Sequence, residues 1–274
     1  MINCAIGLQI MKNVQKPKFS LNKNVLNENG KCYACGAQDQ IWKFTTIINS
    51  ELATTWDLTE SLRNSFDARE SMFCTVCGCS FRLRLLSEAL VNEYGNVSLK
   101  ELVESDLKKI KVAEINSCGK LHQFLQELPA LRYSEFGSKD PSIPSENLEA
   151  LSYEDNSLDL ILTSDTLEHV PNFDVAMSEI LRVLKPGGLH VFTIPVVWSR
   201  KTRKRAVLRE SGVDNILEAS YHGVGQPDYL VFTEFGYDII AQIEKIGFET
   251  TVFKMNLVNL SDTSGVFITK KMTT

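Results

Sequence analysis

The chain has 274 residues, 43% hydrophobic and 23% charged, with a formal net charge of −5. That length fits one large domain or two smaller ones, and the composition is ordinary for a globular protein with a sizeable core. The acidic balance argues against nucleic-acid binding by bulk electrostatics, and no stretch is long and apolar enough to span a bilayer.

Residues 1–28 read as an extended leader, rich in Asn and Lys. Their short apolar patch precedes its charges, whereas a signal peptide places charge first. With seven cysteines and no export signal, reduced thiols and a cytoplasmic location are expected.

Residues 29–97 form the first expected unit, a metal module with a linking helix. Cys32 and Cys35 make one C-x-x-C knuckle before Gly36, and Cys74 and Cys77 make another before Gly78. Two intervening residues let a tight turn aim both sulfurs at one ion. Four thiolates give a closed tetrahedral site suited to structural zinc. Cys79 is a spare thiol or a substitute for Cys77. The aromatic and apolar residues from Trp42 onward are expected to form strands between the knuckles. Ser80 to Tyr94 has helical spacing, with Leu83, Leu86, Leu90 and Tyr94 on one side. Arg82 and Arg84 on it read as a solvated face beside the metal in preference to an anion-binding pair. Ser98 followed by Glu101 is a capping box that opens the next helix.

Residues 98–274 form the second expected unit. Lys111–Ile115 reads as a strand, followed by the loop Asn116-Ser117-Cys118-Gly119. Leu131–Phe136 reads as a second strand. From Leu158 to Val196 the chain reads strand, loop, amphipathic helix, Pro-Gly-Gly stop, strand. Leu158–Leu162 is apolar but for Asp159, as in a parallel strand covered on both faces. Phe173, Ala176, Met177, Ile180, Leu181 and Leu184 make one helical stripe, and Pro186, Gly187 and Gly188 end it. Trp198–Phe232 is a long insertion whose Arg200, Lys201, Arg203, Lys204 and Arg205 read as a solvated basic run. Thr233–Gly236 is expected to open a helix carrying Ile239, Ile240, Ile243 and Ile246. Phe248–Phe253 and Val266–Thr269 read as closing strands.

The central unit resembles the class I S-adenosylmethionine (SAM) dependent methyltransferases, of the type 11-like kind. The matching residues are Asp159, Leu167-Glu168-His169-Val170, Glu179-Ile180 and Arg182-Val183-Leu184-Lys185-Pro186-Gly187-Gly188. More loosely, from about Lys31 to Lys270, the chain is similar to a subgroup with a cysteine-knuckle segment and an eroded glycine motif. The resemblance implies a Rossmann-like α/β sheet, mostly parallel, with a C-terminal antiparallel hairpin. It implies SAM at the carboxyl ends of the first strands. The family's glycine loop lets the backbone approach the methionine part of SAM; here only Gly119 remains. The implied cofactor contacts are Glu114, Asn116, Ser117 and Gly119 around this loop. Glu135 would accept from the ribose hydroxyls and Asn147 from the adenine amino group. Leu148 would pack on adenine, and Ser164 would lie near the sulfonium. His169 is either a general base or a loop-fixing residue, and His222, in a Tyr-His-Gly run, a base or a structural residue. The expected function is methyl transfer to an O, N or C nucleophile of a small-molecule acceptor, with neither nucleic acid nor membrane as partner. The alternative is a non-catalytic methyltransferase-like scaffold whose zinc module binds a protein or nucleic acid.

Overall fold

The computed structural model describes residues 30–38, 42–221, 230–253, 263 and 265–273. The expected leader and His222 lie outside them.

The chain between the two knuckles is helical. Helix α1, Ser50–Thr55, starts where the Asn49 side chain accepts from the Leu52 N–H at 2.8 Å. Helix α2, Glu60–Glu70, starts where Thr59 accepts from the Leu62 N–H at 3.3 Å. These caps satisfy donors that have no partner inside the helix. The strands expected here reduce, among the described residues, to one bridge between Lys43 and Phe73. Helix α3, Phe81–Tyr94, follows the second knuckle and stops at Gly95, whose φ of 72° suits a residue without Cβ. Ser98 caps helix α4, Leu99–Glu104, accepting from the Glu101 N–H at 3.3 Å, as the capping box predicts.

The chain then enters the main sheet through strand β1, Val112–Ile115. The short helix α5, His122–Leu125, leads to strand β2, Arg132–Ser134, which is briefer than expected. Strand β3, Leu158–Ser164, helix α6, Phe173–Val183, and strand β4, Leu184–Thr193, form the anticipated strand-helix-strand unit. One boundary differs. Leu184 is already extended, with φ −69° and ψ 139°, and pairs with Leu158, so Pro186–Gly188 lie inside β4. The register shifts between Leu158 and Leu160, and Gly187 takes a φ of 80° there. A Cβ on Gly188 would sit 2.9 Å from the Lys185 carbonyl oxygen, a close approach that favours glycine.

Strand β5, Val196–Val197, opens the insertion, which continues through β6, Arg203–Lys204, and a hairpin of β7, Ala206–Arg209, with β8, Gly212–Asn215. Thr233–Gly236 is strand β9 rather than a helix start. It pairs parallel with β5 and antiparallel with β6, and any side chain at Gly236 would run into the Arg200 carbonyl. Helix α7 covers only Ile239–Ile246 and ends at Gly247, φ 118°. Strands β10, Phe248–Phe253, and β11, Val266–Lys271, close the sheet as an antiparallel pair.

The six-stranded order is β10-β11-β4-β3-β1-β2. Strand β3 lies parallel between β4 and β1, which explains its apolar run Leu160–Leu162. Leu160, Leu162, Leu189 and Val191 share one core with Leu85, Leu86 and Leu90 of α3 and with Cys32 and Cys74. Ile161, Phe192 and Ile194 share the other with Met177 and Ile180 of α6 and Ile239 and Ile243 of α7. Each such buried Leu or Ile contributes about 1.5–3 kcal/mol relative to exposure. The cysteine module is thus continuous with one face of the sheet.

The basic run is a solvated loop only in part: Lys201 and Lys204 are exposed, as expected, but the three arginines are not free. Arg203 Nη2 and Arg205 Nη1 reach the fully buried Glu234 carboxylate at 2.7 and 2.8 Å, and Arg200 pairs with the same group. Arg200 also donates to the Trp56 carbonyl at 2.8 Å, and Trp56 Nε1 to Ser220 Oγ at 2.6 Å. Ile48, Trp56 and Phe66 bury against Val197 and Val231. The α1–α2 segment therefore bridges from the cysteine knuckles to the insertion. Among the described residues, no helix is long and apolar enough to cross a membrane.

Candidate functional site

The carboxyl ends of β1, β2 and β3 lie side by side, with Ile115 opposite Ser134 and Glu114 opposite Leu162. The loop after β1 is held mainly by its own side chains. Glu114 is fully buried and accepts from the Cys118 N–H at 2.8 Å and from His122 Nδ1 at 2.6 Å. Burial pushes its carboxyl pKa up, and the His122 and Cys118 hydrogen bonds offset part of that. Asn116 takes φ 56°, a left-handed position where a glycine motif needs no Cβ, and its Oδ1 accepts from the Phe136 N–H at 2.8 Å. Ser117 Oγ accepts from the Gly119 N–H at 3.1 Å. Gly119 itself has φ 58°.

Glu135 follows β2 directly and accepts from the Tyr133 hydroxyl. The Tyr133 ring lies 4.2 Å from that of His122. Glu114, His122, Tyr133 and Glu135 thus form one wired set joining the loop to the end of β2. Burial, then the Glu135 hydrogen bond, raise the Tyr133 pKa, so its phenol remains a donor.

Asn147 is exposed, and its Oδ1 accepts from the Glu149 N–H at 3.0 Å, an Asx turn. Leu148 is buried in the core beside Ala113 and Ile115, so its packing partners are protein side chains. Ser164, at the end of β3, bonds Thr193 Oγ1 at 3.0 Å and accepts from Arg82 Nη1. His169 donates from Nδ1 to the Leu230 carbonyl at 2.9 Å, since a carbonyl can only accept. That bond pins its loop to the insertion, as the loop-fixing alternative requires.

The sequence reading missed a charged quartet at this end of the sheet. Arg69, at the C-terminal end of α2, grips Asp165 with Nη1 and Nη2, both at 2.7 Å. Arg82 on α3 reaches Glu70 through Nε at 3.1 Å and Asp165 at 3.2 Å. Arg69 also pairs with Glu70. Asp165 has φ 49° and accepts further from Thr193 Oγ1 at 2.9 Å. Burial alone would raise the Asp165 carboxyl, but Arg69 and Arg82 outweigh it and hold the pKa well below the usual carboxylate range. Arg84, two residues on, lies 3.6 Å over the Trp42 ring and is buried. The solvated face expected of Arg82 and Arg84 is therefore overturned on both counts.

The sulfurs of Cys32, Cys35, Cys74 and Cys77 all lie within 4.8 Å of one another. Cys32 and Cys77 are 3.7 Å apart, and Cys35 and Cys74 3.9 Å. A tetrahedron with about 2.3 Å zinc–sulfur bonds has edges of about 3.8 Å, so these distances fit a four-thiolate ion. Cys79 is fully buried and outside that group. The second knuckle touches helix α5 directly, since Gln123 Nε2 donates to the Cys77 carbonyl at 3.1 Å.

Residues 128–192 match the family model described as a methyltransferase domain. The ubiquinone/menaquinone biosynthesis C-methyltransferase UbiE of Hydrogenovibrio crunogenus is 57% identical over 42 residues, 15% of this chain and 16% of that protein. The Brucella canis protein of the same name is 50% identical over 42 residues, again 15% and 16%. The chain therefore spans about a sixth of the curated relatives it matches. Among solved structures, Burkholderia thailandensis 1,6-didemethyltoxoflavin-N1-methyltransferase shares 13% identity, covering 85% of this chain and 94% of that one, with a TM-score of 0.45. Haemonchus contortus phosphoethanolamine N-methyltransferase 2 shares 16%, covering 63% and 53%, with a TM-score of 0.36. The matched segment runs from the turn before β2 nearly to the end of β4, through the strand-helix-strand unit that carries the signature residues, so this part of the chain is similar to a methyltransferase domain.

Proposed function

We propose that the protein is a SAM-dependent methyltransferase acting on a small-molecule acceptor in a reducing, cytoplasmic setting. The observation that carries this reading is the methyltransferase-domain match over residues 128–192, whose β2 and β3 end beside the loop at Asn116–Gly119. The sheet residues from 98 onward would form the catalytic unit, and residues 29–97 a zinc module that braces it.

SAM, when bound, supplies an electrophilic methyl group on a sulfonium, so catalysis rests largely on positioning. Glu135, half-buried at the end of β2, would accept from the ribose hydroxyls. Ser164 and Asp165 would border the methyl group. Asn147 and Leu148 follow the family pattern for adenine in sequence; the burial of Leu148 supports a role behind the pocket wall. His169 spends Nδ1 on the Leu230 carbonyl, which favours its loop-fixing role over that of base. The four knuckle cysteines would hold one zinc ion whose chemistry is structural, since four thiolates leave no open position for water.

Calorimetric titration with SAM and S-adenosylhomocysteine tests the proposal. Saturable binding of both, weakened in Glu135→Ala, is expected. No binding up to millimolar concentration would leave the non-catalytic scaffold as the better reading.

A further inference from the structure

The loop after β1 has little backbone left to offer a ligand. The Asn116 N–H goes to the Ser134 carbonyl at 2.9 Å, the Cys118 N–H to Glu114 and the Gly119 N–H to Ser117 Oγ. A loop of this kind cannot receive a carboxylate on those three amides. The methionine end of SAM is a zwitterion, one carboxylate and one ammonium, and both must be satisfied somewhere near the loop.

The quartet has the matching chemistry and the matching place. Helix α3 abuts the loop, with Leu83 Cδ1 3.4 Å from where a Cβ of Gly119 would sit. Arg82, the preceding residue, spends Nε on Glu70 and Nη1 on Ser164. No hydrogen bond among the described residues uses its Nη2. Its side chain is 17% exposed and that of Glu70 22%, while Arg69 is closed off at 2%. The quartet thus offers solvent one cationic donor and one carboxylate edge, backed by a buried Arg69–Asp165 pair. With two cations and two anions it is neutral as a whole, as a receptor for a zwitterion should be.

We propose that Arg82 and Glu70 form the receptor for the amino-acid end of the cofactor, Arg82 taking the carboxylate and Glu70 the ammonium, in place of the loop amides. This rests on the methyltransferase reading above and deepens it: two residues of the cysteine module complete the cofactor site.

The test uses three probes on the full-length, zinc-loaded protein: SAM, decarboxylated SAM, which lacks only the carboxylate, and 5′-methylthioadenosine, which lacks the whole amino-acid end. Wild-type protein should prefer SAM to decarboxylated SAM by about thirtyfold, the worth of one charge-assisted hydrogen bond. Arg82→Met should abolish that preference, leave methylthioadenosine binding within about threefold, and Arg82→Lys should restore part of the preference. Glu70→Gln should weaken decarboxylated SAM relative to methylthioadenosine. Equal loss for all three probes in Arg82→Met would mean a merely structural role and overturn the proposal, as would wild-type protein that binds SAM and decarboxylated SAM alike. Wild-type protein that binds none of the three sinks the methyltransferase reading itself, a separate outcome from failure of the receptor.

Discussion

Two arginine clusters sit at the same end of the sheet and differ in their charge balance. In one, Arg69 and Arg82 face Glu70 and Asp165. In the other, Arg200, Arg203 and Arg205 converge on Glu234 alone. The surplus charge of the second is spread over backbone carbonyls: Arg200 on Trp56, and Arg205 on Thr55 and Glu218. Such an arrangement binds chain segments to one another. The first keeps its charges matched and leaves Arg82 and Glu70 partly open to solvent. A neutral cluster with an open edge is suited to a ligand; an over-cationic buried one is suited to support.

That contrast can be broken by substitution. Replacing a knuckle thiolate, Cys74→Ser, should have the largest effect: zinc by elemental analysis should fall from about one per chain to near none, with the quartet loosened because α2 lies between the knuckles. Retention of full metal content would remove the four-thiolate assignment. Glu234→Ala should cost about 3–5 kcal/mol in urea unfolding, because three guanidinium groups lose their shared anion; a change under about 1 kcal/mol would show the cluster to be ornamental. Asp165→Asn should cost less stability, about 2–3 kcal/mol, yet weaken SAM more than Glu234→Ala does in the folded fraction. If the two variants weaken SAM equally, the division into ligand site and support fails.

A smaller effect comes from Glu88 on α3. Burial, opposed by Arg84 and Lys31, pushes its carboxyl up to about 7, and Tyr33 faces it as well. The folded protein therefore holds this proton more tightly than the unfolded chain, where a glutamate titrates near 4.3. Its ionisation lowers stability as pH rises from about 4.3 through about 7. Glu88→Gln should stabilise the protein by about 2 kcal/mol at pH 8 and by little at pH 5; a constant difference across that range would contradict the assigned burial cost.

The parts of the molecule legible from sequence are those where a short stretch states its own environment. Leu158 and Leu160–Leu162 are apolar because their strand has strands on both sides and covers on both faces. The knuckles declare themselves through spacing alone. The capping box at Ser98 is local too. Arginine carries no such statement: Arg69 meets Asp165 from 96 residues away, and nothing local distinguishes it from a surface residue. Arg203 and Arg205 read as a charge run for the same reason. The helices between the knuckles were hidden because their caps, Asn49 and Thr59, are weak signals beside the aromatic residues that suggested strands. In the loop after β1, the sequence shows only that Gly119 remains of a glycine motif; the left-handed turn at Asn116 and the hydrogen bonds that consume its neighbours' amides depend on Glu114 and His122 meeting in three dimensions.

The distance along the chain between the knuckles has a consequence for how the protein would be assembled and controlled. Residues 36–73 form a loop whose ends the metal would fasten, and Arg69 and Glu70 lie inside it, while every strand of the main sheet lies outside. Without the ion, the entropy of that long loop is opposed by the contacts of Trp56, Phe66 and their neighbours and by the Arg69–Asp165 and Arg82–Glu70 pairs. Loss of the ion would then be felt first at Arg69 and Glu70 and, through the core that Cys32 and Cys74 share with Leu160 and Val191, at one face of the sheet.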